Sequence, residues 1–463
     1  MKRFVSSLLI FSTLLFFDCQ KPIEEPQEPD DQNTEQTDPD GPVKEPEKEP
    51  EKDPEPAPVV HPEGCIENDV VYAYVNAGTY EKFGQKSFFV SDANVKATAK
   101  AHNWKGDDPA GITVSWDGQA EYTVSISTPE GLWYEEKVSG GEYTFTNLIP
   151  GVRYTWKVTD GANEIKSGEF TPTGHVRMVD IPCTWNWRDM GGWQGLGGKR
   201  IAYGWIYRGG SLNGKFVGKN GKPSLDPYDH TKYEVPDSMK IALQRIGMKA
   251  ELDLRGDLED LGKWGDEYDA HGATMRWCQF EGWDFMQIMS DYGLYYPYDR
   301  SSLIQDVAWI IYEVRKGNPV GYHCRSGADR TGALGLLIGG LLGMSESDLQ
   351  KEYELTTLSR EKPQKKTKYA TEAQSSSPLF FKSDQGIFSY PGANLQEKCY
   401  LYLNKCFEDV HINADDLDWF IKFMLGLDSY THPEAAVNYS DNSLETVWSV
   451  NTGSGNHKYT EDR

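Results

Sequence analysis

Positive charge is what this chain can least spare. Across 463 residues, 47 Lys and Arg stand against 71 Asp and Glu, a formal net charge of −24. That balance argues against a protein that coats nucleic acid or an anionic membrane, because long-range repulsion opposes both encounters. Any anionic substrate must therefore be captured by a local positive pocket. Long apolar runs are also missing. The stretch from Phe4 to Phe17 is too short to span a bilayer, and the run after Thr331 is short and broken by glycines. The seven cysteines lack the spacing of a small disulfide-stapled domain. Cys399 and Cys406 lie seven apart in a helix-like stretch, so their Cα atoms would be about 10 Å apart, beyond disulfide reach; they read as buried apolar residues. No cluster of His, Cys or acidic residues at metal-ligand spacing accompanies the motif described below, and neither a metal nor a cofactor is expected.

What is present begins with an export signal: Met1, Lys2 and Arg3 precede the apolar run, so residues 1–18 read as a signal peptide. Cys19 follows at once and resembles a bacterial lipoprotein acylation site, although Asp18 departs from the small residue usual there. Two readings stay open, a lipid anchor on Cys19 and a plain secretory signal with an incidental cysteine. Residues 19–64 continue as a Pro, Glu, Asp and Lys run with almost nothing to bury, expected to be an extended tether. The implied location is the bacterial cell envelope, as an outer-membrane or surface lipoprotein whose contact with the membrane is the lipid alone.

The fold class expected for the rest is multidomain, an all-β sandwich followed by an α/β domain with a central sheet flanked by helices. From 65 to 172 apolar residues alternate with polar ones at Ile112, Val114 and Trp116, at Tyr122, Val124 and Ile126, at Tyr143 and Phe145, and at Tyr154, Trp156 and Val158. Gly and Asp clusters punctuate them as turns. The piece from Leu148 to Val158 is similar to a segment of fibronectin type III domains in which a corner tyrosine bonds back to the preceding loop. From 173 to 430 the pattern is α/β, with 431–463 left as a tail. Glu251 to Leu254 and Val320 to His323 read as buried strands, Leu303 to Val314 recurs at helical spacing, and helices are expected over 345–358, 395–410 and 415–427.

The chemistry concentrates in GYHCRSGADRTG, residues 321–332. A loop of about six residues between a strand and a helix N-terminus can aim successive backbone N–H groups inward, an anion nest reinforced by the helix dipole. The same field favours the thiolate of Cys324, the nucleophilic form. Arg330 can grip two phosphate oxygens with its planar fork. The backbone of Arg325, Ser326, Gly327 and Ala328 would surround the phosphate, with Gly327 allowing close approach. Thr331 can hydrogen-bond the sulfur as it leaves, and His323 would order the loop.

This segment resembles the phosphate loop of cysteine-dependent tyrosine phosphatases. Thr184 to Trp193 followed by Tyr207 to Leu212 is similar to the N-F-R-D-L-G-G opening motif of the bacterial tyrosine-phosphatase-like group of dual-specificity and lipid-type enzymes, and Glu251 to Glu259 to its D-L-R strand. The resemblance implies that Arg188, Asp189, Arg208, Asp253 and Arg255 line or brace the pocket; for each, a structural ion pair is the alternative. It favours Asp329 as general acid, with Asp284 the competitor at the distance where other tyrosine phosphatases keep a mobile acid loop. Where the group often carries a lysine associated with phosphoinositide binding, this chain has Ala328, and Arg325 is the nearest compensating charge. The function implied is phosphomonoester hydrolysis, most simply of phosphotyrosine protein. The alternatives are an inositol polyphosphate or phosphoinositide phosphatase drawing on Arg188, Arg208, Arg255 and Arg325, and a non-catalytic surface binder gripping glycans through Trp185, Trp187, Trp193 and Trp205.

Overall fold

The computed structural model describes residues 57–212, 215–217, 223–224, 232–234, 236–254, 274–277, 297–324, 326–360, 386–405, 410–430, 432–433, 435–440 and 442–449. All of them belong to one compact unit, Asp53–Arg463. The signal segment, Cys19, Arg255, Asp284, Arg325 and Cys406 lie outside the described residues.

Where alternating strands were expected from residue 65, the chain is first helical: α1 Asp69–Val75, α2 Phe88–Ser91 and α3 Ala93–Ala101. Each is fixed by a side chain accepting from its first turn, Asn68 from the Val71 amide, Ser87 from that of Phe89, and Asp92 from those of Asn94 and Val95. Val70, Val71, Tyr74 and Val75 turn inward, as do Phe89 and Val95, and they share one apolar core with the helices of the α/β part. The helical segment is thus built into the α/β part.

Strands start at β1 Ile112–Ser115 and continue through β2 Glu121–Thr128, β3 Gly131–Ser139, β4 Glu142–Phe145, β5 Tyr154–Asp160 and β6 Asn163–Phe170. They form a four-stranded antiparallel sheet in the order β3-β2-β5-β6 and a β1-β4 ribbon. The two share a core of Val114, Val124, Ile126, Phe145, Trp156 and Val158. Tyr154 accepts through its hydroxyl from the Ile149 amide at 3.0 Å, the corner bond its sequence position suggested.

The α/β part is organised by a five-stranded sheet of β7 Arg188–Asp189, β8 Ile206–Gly209, β12 Ala250–Asp253, β13 Thr274–Trp277 and β14 Val320–His323, in the order β13-β12-β14-β8-β7. Short strands β9 Lys215–Val217, β10 Pro223–Ser224 and β11 Lys232–Glu234 form a separate antiparallel sheet. In the large sheet β14 is central and parallel to both neighbours, while β7 is antiparallel at the edge. Helices α4 Asp237–Arg245, α5 Pro297–Arg315, α6 Asp329–Leu341, α7 Glu346–Glu354, α8 Leu395–Lys405, α9 Ala414–Leu425 and α10 Leu444–Ser449 complete the chain. Ser345 caps α7 by accepting from the Asp348 amide at 3.0 Å, and Gly426 ends α9 in the left-handed region. Helix α6 is buried from Arg330 to Leu341, which its all-round apolar sequence requires. Among the described residues no helix is long and apolar enough to cross a membrane.

Candidate active site

Cys324 follows the last residue of β14 and is 3% exposed. The loop after it runs straight into α6, whose first residue is Asp329. A loop at the carboxyl end of a central parallel strand is where open α/β sheets hold ligands. Ala328 occupies the N-cap of α6, and an alanine has no acceptor for the first-turn amides, so an anion is their natural partner. Gly327 has φ +68°, and a Cβ there would lie 2.4 Å from both the carbonyl carbon and the oxygen of Gly209. Its side of the loop is therefore pressed against the Gly209–Gly210 backbone.

His323 is fully buried between two carboxylates of the neighbouring strand: Nε2 lies 2.8 Å from Glu251 Oε1 and Nδ1 lies 3.9 Å from Asp253 Oδ1. Glu251 and Asp253 are two apart on β12, so both side chains project from one face, and in the parallel register Asp253 stands opposite His323. Nδ1 is also 3.2 Å from the Cys324 carbonyl oxygen. The imidazole thus orders the first peptide of the loop. Arg330 is 8% exposed and donates from Nη1 to the Leu254 carbonyl at 3.1 Å, tying the guanidinium to the end of β12. Thr331 is fully buried next to it, and its hydroxyl has no hydrogen-bond partner among the described residues. Asp329 and Ser326 are half-buried at the loop's rim, and Ala328 is fully buried.

The basic residues expected to line or brace the pocket divide clearly. Arg188 and Arg208 are buried behind the loop, sharing Glu352: Arg188 Nε lies 2.6 Å from Oε1, and Arg208 Nη1 pairs with Oε2. Burial and the nearby Arg208 push the Arg188 guanidinium down to about 10, against the pull of Glu352. Burial would raise Glu352, but the two guanidiniums hold it below the ordinary carboxylate value. Asp189 lies on the far side of its strand, 2.8 Å from Arg177, accepting also from the Gly191 and Gly204 amides. Arg188, Asp189 and Arg208 are therefore braces, and the structure corrects any reading of them as pocket lining. Glu352 comes from distant sequence and Arg177 from twelve positions before Asp189, and neither carries a local signal of the pairing. Asn186, inside the opening motif, carries no sequence signal of its role; its Nδ2 donates to the Ser326 and Gly327 carbonyls.

The tryptophans are structural. Trp185, Trp187 and Trp193 are at most 3% exposed. Gly209 and Gly210 exist in that form because a Cβ on either would lie 2.2 Å from the indole of Trp187 or Trp185 respectively. Three of the four proposed glycan platforms are thus core. Among the described residues no group of three His, Cys, Asp or Glu side chains is placed to hold a metal ion.

With this geometry in hand, the comparisons with known proteins narrow the class. Residues 232–433 match the model of the Tyrosine phosphatase family. The matched span contains the Cys324 loop and supports phosphatase activity, but starts after the opening motif at 184–212 that braces the loop. No curated protein matches the chain significantly.

Proposed function

We propose that this chain hydrolyses phosphomonoesters, most simply phosphotyrosine in protein, through a cysteinyl-phosphate intermediate on Cys324. In the first step the thiolate attacks phosphorus, the P–O bond to the leaving group breaks, and the departing oxygen takes a proton from a carboxyl. In the second step water attacks phosphorus and gives a proton to that carboxylate. The P–S bond then breaks, releasing inorganic phosphate and the thiolate. Arg330 neutralises the equatorial oxygens in both transfers. Asp329 is the acid this reading favours, since it stands on the first turn of α6 beside Arg330. Thr331 is the donor to the departing sulfur.

The observation that carries the reading is the strand–loop–helix frame, with Cys324 closing the central strand and α6 opening on an N-cap without an acceptor. Inositol polyphosphate is a weaker substrate class, because Arg188 and Arg208, two of its four candidate donors, are spent on Glu352. The deciding experiment is turnover of a phosphotyrosine peptide against inositol hexakisphosphate, with Cys324→Ser as control. Hydrolysis of the peptide that disappears in Cys324→Ser is expected, and activity surviving that substitution would end the reading. The acid is assigned by pH–rate profiles of Asp329→Asn and Asp284→Asn, in which loss of the protonated-group limb marks the donor. Our reading of the N-terminus is a lipid on Cys19 and a place in the cell envelope; mass spectrometry of the mature protein tests it, and an unmodified Cys19 at the mature N-terminus would refute it.

A further inference from the structure

The phosphate loop can bind an oxyanion only if its amides face the pocket, and a six-residue loop has many ways to turn them elsewhere. In a trans peptide the carbonyl of one residue and the amide of the next point in opposite directions. Fixing where the carbonyls point therefore fixes the amides. The Ser326 and Gly327 carbonyls are both directed into the layer behind the loop. Asn186 Nδ2 donates to them at 3.1 and 3.0 Å, and Arg208 Nη2 donates to the Gly327 carbonyl at 3.0 Å. Asn186 and Arg208 are fully buried, and the two bonds to the Gly327 carbonyl form away from solvent, where they are strongest.

The donors are themselves held. Arg188 Nη1 donates to Asn186 Oδ1 at 2.7 Å, so the amide group of Asn186 cannot rotate its donor end away from the loop without setting two donors face to face. Glu352 holds Arg188 with one carboxylate oxygen and Arg208 with the other. Asn186 has a left-handed backbone, φ +62°, and its own amide donates to Asp107 Oδ2 at 3.0 Å. That same oxygen accepts from the Arg360 amide at 2.8 Å. Asp107 is 1% exposed and sits between the N-terminal helices and the first sandwich strand.

We propose that Asn186 and Arg208, anchored by Glu352 and Asp107, are positioning residues that turn the Gly327 and Ala328 amides toward the substrate phosphate. The proposal rests on the phosphatase reading and adds that the oxyanion site is assembled by residues outside the family match at 232–433 as well as by Glu352 within it. Arg208→Lys and Asn186→Asp test it in the full-length protein. The lysine keeps the charge beside Glu352 but cannot also reach the Gly327 carbonyl; the aspartate keeps the shape of Asn186 but puts an acceptor against two carbonyls.

Each folded variant is expected to lose about 10²–10³-fold in kcat toward an aryl phosphate, the loss typical of a misdirected oxyanion donor. Competitive inhibition by inorganic phosphate should weaken at least about tenfold in parallel, by the tenfold-per-1.4 kcal/mol relation. A merely structural role would lower thermal stability and leave the phosphate inhibition constant of the folded protein unchanged, and that outcome overturns the proposal. Should Asn186→Asp fail to fold, Arg208→Lys decides alone; should both fail, Asn186→Ser, which vacates the donor with less disturbance, is read the same way. Calorimetric binding of inorganic phosphate to each variant in a Cys324→Ser background separates the two levels of inference. Weakened binding there sustains the positioning role even if the hydrolytic reading falls, and unchanged binding removes the positioning role even if hydrolysis stands.

Discussion

Gly327 shows how one residue can be legible in sequence for a reason the structure changes. Its place in the middle of the loop suggests room for a phosphate, whereas the tight contact a side chain would make is against Gly209 and Gly210. Gly327→Ala must hold an alanine at φ +68° and find space for a methyl 2.4 Å from backbone atoms. The left-handed conformation costs roughly 1 kcal/mol and the overlap a further 1–3 kcal/mol. Denaturant unfolding should therefore show a loss of about 2–4 kcal/mol, with activity falling as the loop is displaced. A variant as stable and active as the parent would mean that the loop and the Gly209–Gly210 turn separate easily. Cys324, His323, Arg330 and Thr331 were visible because they lie within one short segment. Asn186, Glu251 and Glu352 were not assigned roles because what they do depends on partners between 72 and 164 positions away along the chain.

At the level of elements, strong periodicity survived and short or exposed pieces did not. Residues Leu303 to Val314 fall in α5, and β14 has the bounds its four apolar-flanked residues suggested. β3 and β6 carry little apolar signal: β3 alternates but only between half-buried and exposed positions, Glu136 among the inward ones, and β6 is exposed along most of its length. α1 was missed because seven residues rich in Val and Tyr mimic a strand, and only its Asn68 cap marks a helix. The join between sandwich and sheet carries no local sequence signal either; besides the Asn147–Asp180 and Glu136–Arg245 contacts it uses a buried arginine. Arg177 donates to the Leu148 and Asn147 carbonyls of the sandwich and pairs with Asp189 on β7. Burial already raises the Asp189 carboxyl above its ordinary value even with Arg177 in place. Arg177→Ala would leave that carboxylate buried without its cationic partner, held by the Gly191 and Gly204 amides alone, at an expected loss of about 3–5 kcal/mol. Urea unfolding at neutral pH measures it; a change below about 1 kcal/mol would show the pair to be replaceable by solvent.

At the scale of the whole molecule, the N-terminal helices meet the α/β part around a buried carboxylate. Tyr74, Tyr80 and Ser87 all donate hydroxyl bonds to Glu354 Oε2 on α7, and Gln350 donates to Oε1. Burial pushes Glu354 up to about 7, although all four donors favour its ionised form. Because the folded state holds this proton more tightly than a free glutamate at 4.5, the carboxyl contributes stability that is complete below pH 4.5 and is lost as pH rises through 7. The loss is at most about 3.5 kcal/mol, from the difference between those two values at roughly 1.4 kcal/mol per pH unit. Glu354→Gln removes the titration and keeps an oxygen for the three hydroxyls. The stability difference between variant and parent should therefore drift in the variant's favour between pH 4.5 and 7 and then level off, followed by thermal unfolding across that range. A difference independent of pH would show that Glu354 keeps an ordinary acidity and that the helices are held by packing alone. The two anchors on α7 lie two residues apart, Glu352 behind the Cys324 loop and Glu354 beneath the N-terminal helices. Loosening the Glu354 end should for that reason lower activity in the same pH window in which it lowers stability.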